Sequence, residues 1–187
     1  EPRAGERSVY CGFLDESPAL TAAPRDWALV YLGAGSVPAG VAVCAGRELT
    51  EALDCDVYVA GVSEAVHAVG DHEVTCAPRF DVADILPRAR VFVHHGGQNS
   101  MMDALSYDVP QVMVPGRVFE RQFNAEAVEN ARCGLTVRAS QPALIARAAR
   151  ALLDEPALTS GIRGVCAELS SLGGGARIVR EVEKLVS

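Results

Sequence analysis

The chain has 187 residues, 49% hydrophobic and 22% charged, with a formal net charge of −7. That length accommodates one large domain, or one domain and an arm, and that composition suits an ordinary globular core. The acidic balance argues against a general nucleic-acid surface, which is basic. It leaves room for a local anion pocket, because a diffuse charge is screened beyond about 10 Å while nearby arginines and helix ends are not. No apolar run reaches the ~18 residues of a membrane span and no signal peptide opens the chain, so a soluble, cytoplasmic protein is expected. Cys11, Cys44, Cys55, Cys76, Cys133 and Cys166 are scattered with no Cys-x-x-Cys pair, which fits free thiols in a reducing compartment.

Residues 1–24 read as an arm broken by Pro2, Pro18 and Pro24, with only 9–14 (Val-Tyr-Cys-Gly-Phe-Leu) apolar enough to dock. A strand over 28–32 leads into Gly33-Ala-Gly35-Ser36, whose amides and hydroxyl could meet a phosphate. Its spacing is not the dinucleotide fingerprint, since Ser36-Val-Pro-Ala follows Gly-x-Gly, and an ordinary turn is the equal alternative. A helix over 38–53 follows, despite its glycines. Asp54-Cys-Asp56 has the Asp-x-Asp spacing of some metal-binding sites, but it stands at the start of the strand over 56–60, the wrong end of a sheet for a ligand. It is read as structural, Asp71-His-Glu73 as a polar loop, and no His/Cys spacing suggests zinc.

Further strands are expected over 73–76, 91–94, 111–114 and 135–137, with helices over 99–106 and 119–132. The tail is helical over 142–153, 158–172 and 176–186, the first packing through Leu144, Ala148, Ala151 and Leu152. Short apolar strands alternating with helices predict an α/β fold: a doubly wound parallel sheet of about six strands, covered on both faces, with a helical C-terminal tail.

The most informative stretch is Val91-Phe-Val-His-His-Gly-Gly-Gln-Asn-Ser100. It reads as a buried strand, a glycine turn with a histidine at its mouth, and a polar helix start. Gly96 and Gly97 let backbone approach a ligand without an intervening Cβ. Asn99 or Ser100 can cap the next helix, whose free amides and dipole favour an anion, and His95 can add a side-chain donor. Strand alternation sends His94 to the opposite face, as a structural residue. A turn that needs glycines only to turn is the plainer alternative. Glu120-Arg-Gln122 opens a helix, where acidic residues are favoured by the dipole alone; a sugar-binding carboxylate is the functional alternative.

These stretches, in this order, resemble the C-terminal half of GT-B glycosyltransferases, especially the bacterial antibiotic (macrolide-type) enzymes. The likeness runs from about Trp27 to the C terminus. It is most specific in 84–100 (Asp-Ile-Leu-Pro-Arg-Ala-Arg-Val-Phe-Val-His-His-Gly-Gly-Gln-Asn-Ser), 103–111 (Asp-Ala-Leu-Ser-Tyr-Asp-Val-Pro-Gln), Phe123-Asn-Ala125 and Cys133-Gly134. Val9-Tyr-Cys-Gly12 is similar to the family's interdomain link.

The resemblance implies a Rossmann-like lobe in which His95, Gly96, Gly97, Asn99 and Ser100 bind the diphosphate of the donor, aided by Gly35 and Ser36. It implies that Arg79, where many relatives have tryptophan, and Phe80 meet the nucleobase. It implies sugar contacts from Glu120 and Arg121, the latter replacing the usual glutamine, with Gln122 as a neighbouring substitute. Residues 1–24 would be the interdomain link and 25–187 the donor-binding domain. The acceptor pocket and catalytic base belong to an N-terminal domain, expected here in cis or in trans.

The implied reaction is inverting transfer from a UDP- or TDP-sugar to a hydroxyl of a small-molecule acceptor, with no metal or other cofactor. This chain alone is expected to bind donor and transfer nothing. The alternatives are a non-catalytic nucleotide-sugar-binding subunit, a lobe of a nucleotide-sugar epimerase or hydrolase, and a structural α/β domain with a vestigial site.

Overall fold

The computed structural model describes residues 8–14, 24–33, 37–138 and 140–186. Seven strands form one sheet: β1 (Trp27–Tyr31), β2 (Asp56–Ala60), β3 (Ala65–Val69), β4 (His72–Ala77), β5 (Ala89–His94), β6 (Gln111–Met113) and β7 (Gly134–Thr136). Their order is β3-β4-β2-β1-β5-β6-β7. All neighbours pair in parallel except β3, which runs antiparallel to β4.

The sequence therefore under-counted the sheet by one strand. Ala65–Val69 alternates half-buried and exposed residues at the sheet edge, and so lacks the continuous apolar run of the inner strands. Val69 pairs with His72 across the two-residue turn Gly70-Asp71, with Gly70 at φ 61°. That Gly-Asp pair is a hairpin signal, and the expected polar loop 71–73 is instead a turn followed by the first residues of β4.

Helix α1 (Ala39–Leu53) and, much later, α5 (Pro142–Asp154) cover one face, where Leu49, Leu53, Ile145 and Leu152 pack on Val30, Val57, Val59, Val91 and Val93. Gly46 makes the first contact possible, since a Cβ there would lie 2.8 Å from Val59 Cγ2. In α5 the buried stripe is Ile145, Ala146, Ala149 and Leu152, turned one residue from the expected one, so Leu144 is exposed. That stripe begins at Ile145 because both α1 and the sheet pack against this side of the helix.

The opposite face carries two short turns missed from sequence, α2 (Val82–Ile85) and the 3-10 turn Leu86–Arg88, followed by α3 (Gln98–Ser106) and α4 (Phe119–Asn130). Leu29 and Phe92 point to this side while Ala28, Val30, Val91 and Val93 point to the other, the period-two alternation of a strand buried on both faces. The tail is not one helix over 158–172. A 3-10 turn, Pro156–Thr159, precedes α6 (Ile162–Ser171); between them the Gly161 amide donates to Arg132 O at 3.0 Å, and any Cβ on Gly161 would collide with the Ala131 carbonyl. The last helix, α7 (Gly174–Val186), starts two residues before the expected position.

The docking segment of the arm behaves as expected. Phe13 is buried among Leu105, Met113, Val128 and Ile162, and the Gly174 amide donates to Cys11 O at 2.7 Å. All six cysteines are free, with Cys55, Cys76 and Cys133 buried and Cys44 exposed. No helix among the described residues is long and apolar enough to cross a membrane.

Candidate functional site

From β1 the chain moves outward through β2 to the edge hairpin β3–β4, then returns to the other side of β1 with β5. Connections therefore leave the carboxyl ends of β1 and β5 in opposite directions, and that divergence opens a crevice where open α/β sheets bind ligands. Tyr31 and His94 are register partners at the end of the two strands, and the His95 amide continues the ladder by donating to Tyr31 O at 3.1 Å. His95 is thus the first residue past the sheet on the switch-point side.

The His95 imidazole is half-buried. Its Nδ1 lies 3.4 Å from Tyr31 O, and its ring stands edge-on to Tyr31 at 5.2 Å between centroids. The ring folds over the turn: a Cβ on Gly97 would lie 2.5 Å from His95 Nε2. Gly97 itself has ordinary extended backbone (φ −65°, ψ 148°), so it is space for the imidazole, not a special dihedral, that requires glycine there. Gly96 is different. At φ 86° it occupies the left-handed side that favours glycine, and it packs against Arg121 of α4. Desolvation first, and then the nearby Arg121 charge, push the His95 pKa down, while the Tyr31 carbonyl and Glu120 act the other way.

The N-cap of α3 is Gly97, and it makes no side-chain cap bond. Asn99 and Ser100 are therefore not the caps expected from sequence; they sit in the first turn, Asn99 exposed and Ser100 buried. Met101 is the first amide to bond back along the helix, to Gly97 O at 3.1 Å. The amides of Gln98, Asn99 and Ser100 precede it and have no intrahelical acceptor, which leaves a donor cluster at the positive end of the helix. The Gly96 amide does not join that cluster, because it donates inward to His94 Nδ1 at 3.1 Å.

His94 is structural, as its strand position suggested. It is fully buried, with Nε2 2.9 Å from Gln111 Oε1, and burial drives its pKa down to about 3. Asn124, a residue given no role from sequence, is also buried, and its Nδ2 donates to Gly96 O at 2.9 Å. Only its place in the Phe123-Asn-Ala125 stretch could have drawn attention to it.

A groove of about 1010 Å³ runs from the α3 start along one flank of the helix. Gln98, Asn99 and Asp103 line it with Asp81 of the loop before α2 and Tyr10 of the arm. Asp81 caps α2 by accepting the Ala83 amide at 2.9 Å. Arg79 and Phe80 immediately precede this rim. Arg79 is exposed, whereas Phe80 is half-buried and packs edge-on against Tyr58 at 5.3 Å. On the other flank of α3, Glu120 is exposed, Arg121 is half-buried beside Gly96, and Gln122 Nε2 closes its own loop by donating to Gly116 O at 2.9 Å. Gly35 and Ser36 lie outside the described residues, although their neighbours Leu32, Gly33 and Val37 line a separate crevice of about 300 Å³ at the end of β1.

Asp54 and Asp56 stand at the opposite end of the sheet. Each approaches one ring nitrogen of His72, at 3.1 and 3.4 Å, and Asp56 Oδ1 also accepts the Glu73 amide. Their spacing thus serves the α1–β2 junction and the edge hairpin.

Comparison with known proteins agrees with this fold. Residues 48–185 match the family described as "Erythromycin biosynthesis protein CIII-like, C-terminal domain". The elloramycin glycosyltransferase ElmGT of Streptomyces olivaceus is 35% identical over 97 residues, which make up 52% of this chain and 24% of that protein. The glycosyltransferase SsfS6 of Streptomyces sp. SF2575, solved with thymidine diphosphate, superposes with a TM-score of 0.69 at 27% identity, over 95% of this chain and 47% of that one. The kitacinnamycin glycosyltransferase has the same fold, with a TM-score of 0.73 at 20% identity over 98% of this chain and 47% of its own. The chain thus spans about half the length of these solved relatives. It belongs to the erythromycin biosynthesis protein CIII-like C-terminal domain family.

Proposed function

We propose that this chain is the donor-binding half of an inverting, cytoplasmic glycosyltransferase that uses a UDP- or TDP-sugar. Residues 25–187 hold the donor, and residues 1–24 link to an acceptor-binding domain that supplies the catalytic base, in cis or in trans. The acceptor is a small molecule bearing a hydroxyl, in keeping with the antibiotic-pathway names of its relatives.

One observation carries this reading: an imidazole laid over a glycine at the switch point, beside three first-turn amides of α3 with no intrahelical acceptor. An acceptor hydroxyl attacks the anomeric carbon, and the bond to the nucleoside diphosphate breaks with its electron pair on the leaving oxygen. Negative charge grows there, so donors already aimed at the phosphates lower the barrier. With Nδ1 directed at Tyr31 O, the His95 nitrogen left for the ligand is Nε2. A neighbouring phosphate favours the protonated ring, in which Nε2 donates. Arg121 adds positive charge beside His95, and Glu120 supplies acceptors for sugar hydroxyls. Gln122 contributes through the loop it closes with Gly116. Asn99 meets the phosphates from its exposed first-turn position and Ser100 through its amide, and Gly35 and Ser36 keep the phosphate role that the family resemblance implies.

The groove flanking α3 is the path for the nucleoside, with Arg79 and Phe80 at its rim. The SsfS6 relative was solved with thymidine diphosphate, which makes TDP the first ligand to test. Isothermal titration of the chain with TDP and UDP should give saturable binding, lowered by about 10- to 100-fold in His95→Ala, as expected for loss of a hydrogen bond to a charged group. Absence of heat at millimolar TDP and UDP contradicts the proposal.

A further inference from the structure

Beneath the ligand-facing side of the glycine turn lies a buried polar cluster that the proposed function does not use. His94, Gln111 and Asn124 come from β5, β6 and α4, and all three are buried. Two of them grip Gly96 from opposite directions: its N–H donates to His94 Nδ1 at 3.1 Å, and its C=O accepts from Asn124 Nδ2 at 2.9 Å. Accepting at Nδ1 leaves the proton of the neutral His94 ring on Nε2, which donates to Gln111 Oε1 at 2.9 Å. Gln111 thereby fixes the tautomer that can hold Gly96.

This arrangement has a cost. Gln111 Nε2 is buried with no partner among the described residues. An unmatched buried donor is destabilising, because it has given up its bonds to water. Aliphatic side chains would fill the same space without that penalty, so packing alone does not account for the His–Gln pair.

The orientation of the two peptides explains what the cluster achieves. In a trans peptide the C=O and N–H point to opposite sides. Tying the Gly96 N–H to His94 therefore turns the His95 C=O away from the His94 ring. Tying the Gly96 C=O to α4 turns the Gly97 N–H away from α4. Gly96 is held at φ 86° between these two anchors, and that conformation brings the His95 ring over Gly97.

We propose that His94 and Asn124 are positioning residues for diphosphate binding: from inside the core they lock the peptides on both sides of Gly96, and so aim the Gly97 amide and the His95 imidazole at the phosphates. Gln111 holds His94 in the required tautomer. The inference rests on the donor-binding function proposed above and extends it to residues that touch no ligand.

The test compares TDP with thymidine, which has no phosphate, on the full chain by isothermal titration. His94→Phe and Asn124→Ala should each weaken TDP at least tenfold while changing thymidine by less than threefold, because the locked turn serves the phosphates. TDP and thymidine weakened alike would indicate general loosening and overturn the proposal, as would unchanged TDP affinity in both variants. If the wild type binds neither ligand, the donor-binding function falls and this inference with it; wild-type binding with unaffected variants sinks the inference alone.

A second measurement needs no variant. In labelled wild-type protein, a scalar coupling across the hydrogen bond between the Gly96 nitrogen and His94 Nδ1 should persist when TDP is added, while the Gly97 amide resonance shifts. Loss of that coupling on adding TDP would mean that the Gly96 amide turns to the ligand, and would overturn the proposal.

Discussion

Gly97 is a position where one methyl group separates stability from binding. Its backbone suits alanine, but the added Cβ would lie 2.5 Å from His95 Nε2, so the imidazole must swing aside. Gly97→Ala should melt within a few degrees of the wild type and bind TDP at least tenfold more weakly. Equal affinity would show that the ring's position over the turn is irrelevant to the ligand. His94 offers a different residue-scale check, through pH. Its folded pKa is about 3, far below the ordinary imidazole value, and that of His95 is lowered too, both chiefly by burial. Below pH 6.5 the unfolded chain takes up protons that the folded chain refuses. The stability held by the neutral rings is therefore complete above pH 6.5 and is lost as pH falls below it. Each such proton contributes up to about 1.4 kcal/mol per pH unit. Urea denaturation between pH 6.5 and 5 should show this decline, and His94→Phe should flatten it. An equally steep decline in the variant would remove His94 as its source.

At the scale of elements, the glycine turn works because short pieces hold it from three sides: β1 through Tyr31, α4 through Asn124 and α3 through its open first turn. The arm makes a comparable local bond at the other end of the groove. Gly12, at φ 74°, sits so close to Leu169 O that no Cβ fits, and Phe13 fills the core between α3, α4 and α6. Phe13→Ala should cost about 3–5 kcal/mol by chemical denaturation. It should also speed proteolytic cleavage within 9–14, whereas an unchanged cleavage rate would mean that Phe13 does not hold the arm.

Long elements were readable from periodicity and punctuation. α1 starts one residue after the expected position, and β1 and β5 lie within two residues of where their apolar runs predict. What escaped depends on contacts distant in sequence. β3 gains its identity from pairing with β4, and the Gly161 amide is drawn out of the helical ladder by Arg132 O. The cap of α3 is Gly97 because its carbonyl accepts the Met101 amide. The site shows the same division. His95 and the glycines stand out in the sequence, but Asn124 matters through a backbone carbonyl 28 residues away, which no spacing rule reveals.

For the whole molecule, the decisive feature is strand order. With β1 central and the chain running outward first to the β3–β4 hairpin and then to β7, the carboxyl ends of β1 and β5 form the switch point, and the His95 turn lies beside it. The family match is to a C-terminal domain, and the chain spans about half the length of the solved glycosyltransferases it resembles. The proposed function puts the diphosphate on the His95–Ser100 turn. A crystal structure of the chain with TDP tests it directly. The account predicts phosphate oxygens within hydrogen-bond reach of His95 Nε2 and of the Gly97 to Ser100 amides, with the nucleoside lying along the groove toward Asp81. Ordered TDP bound elsewhere on the chain, with the His95 turn left unengaged, would contradict it.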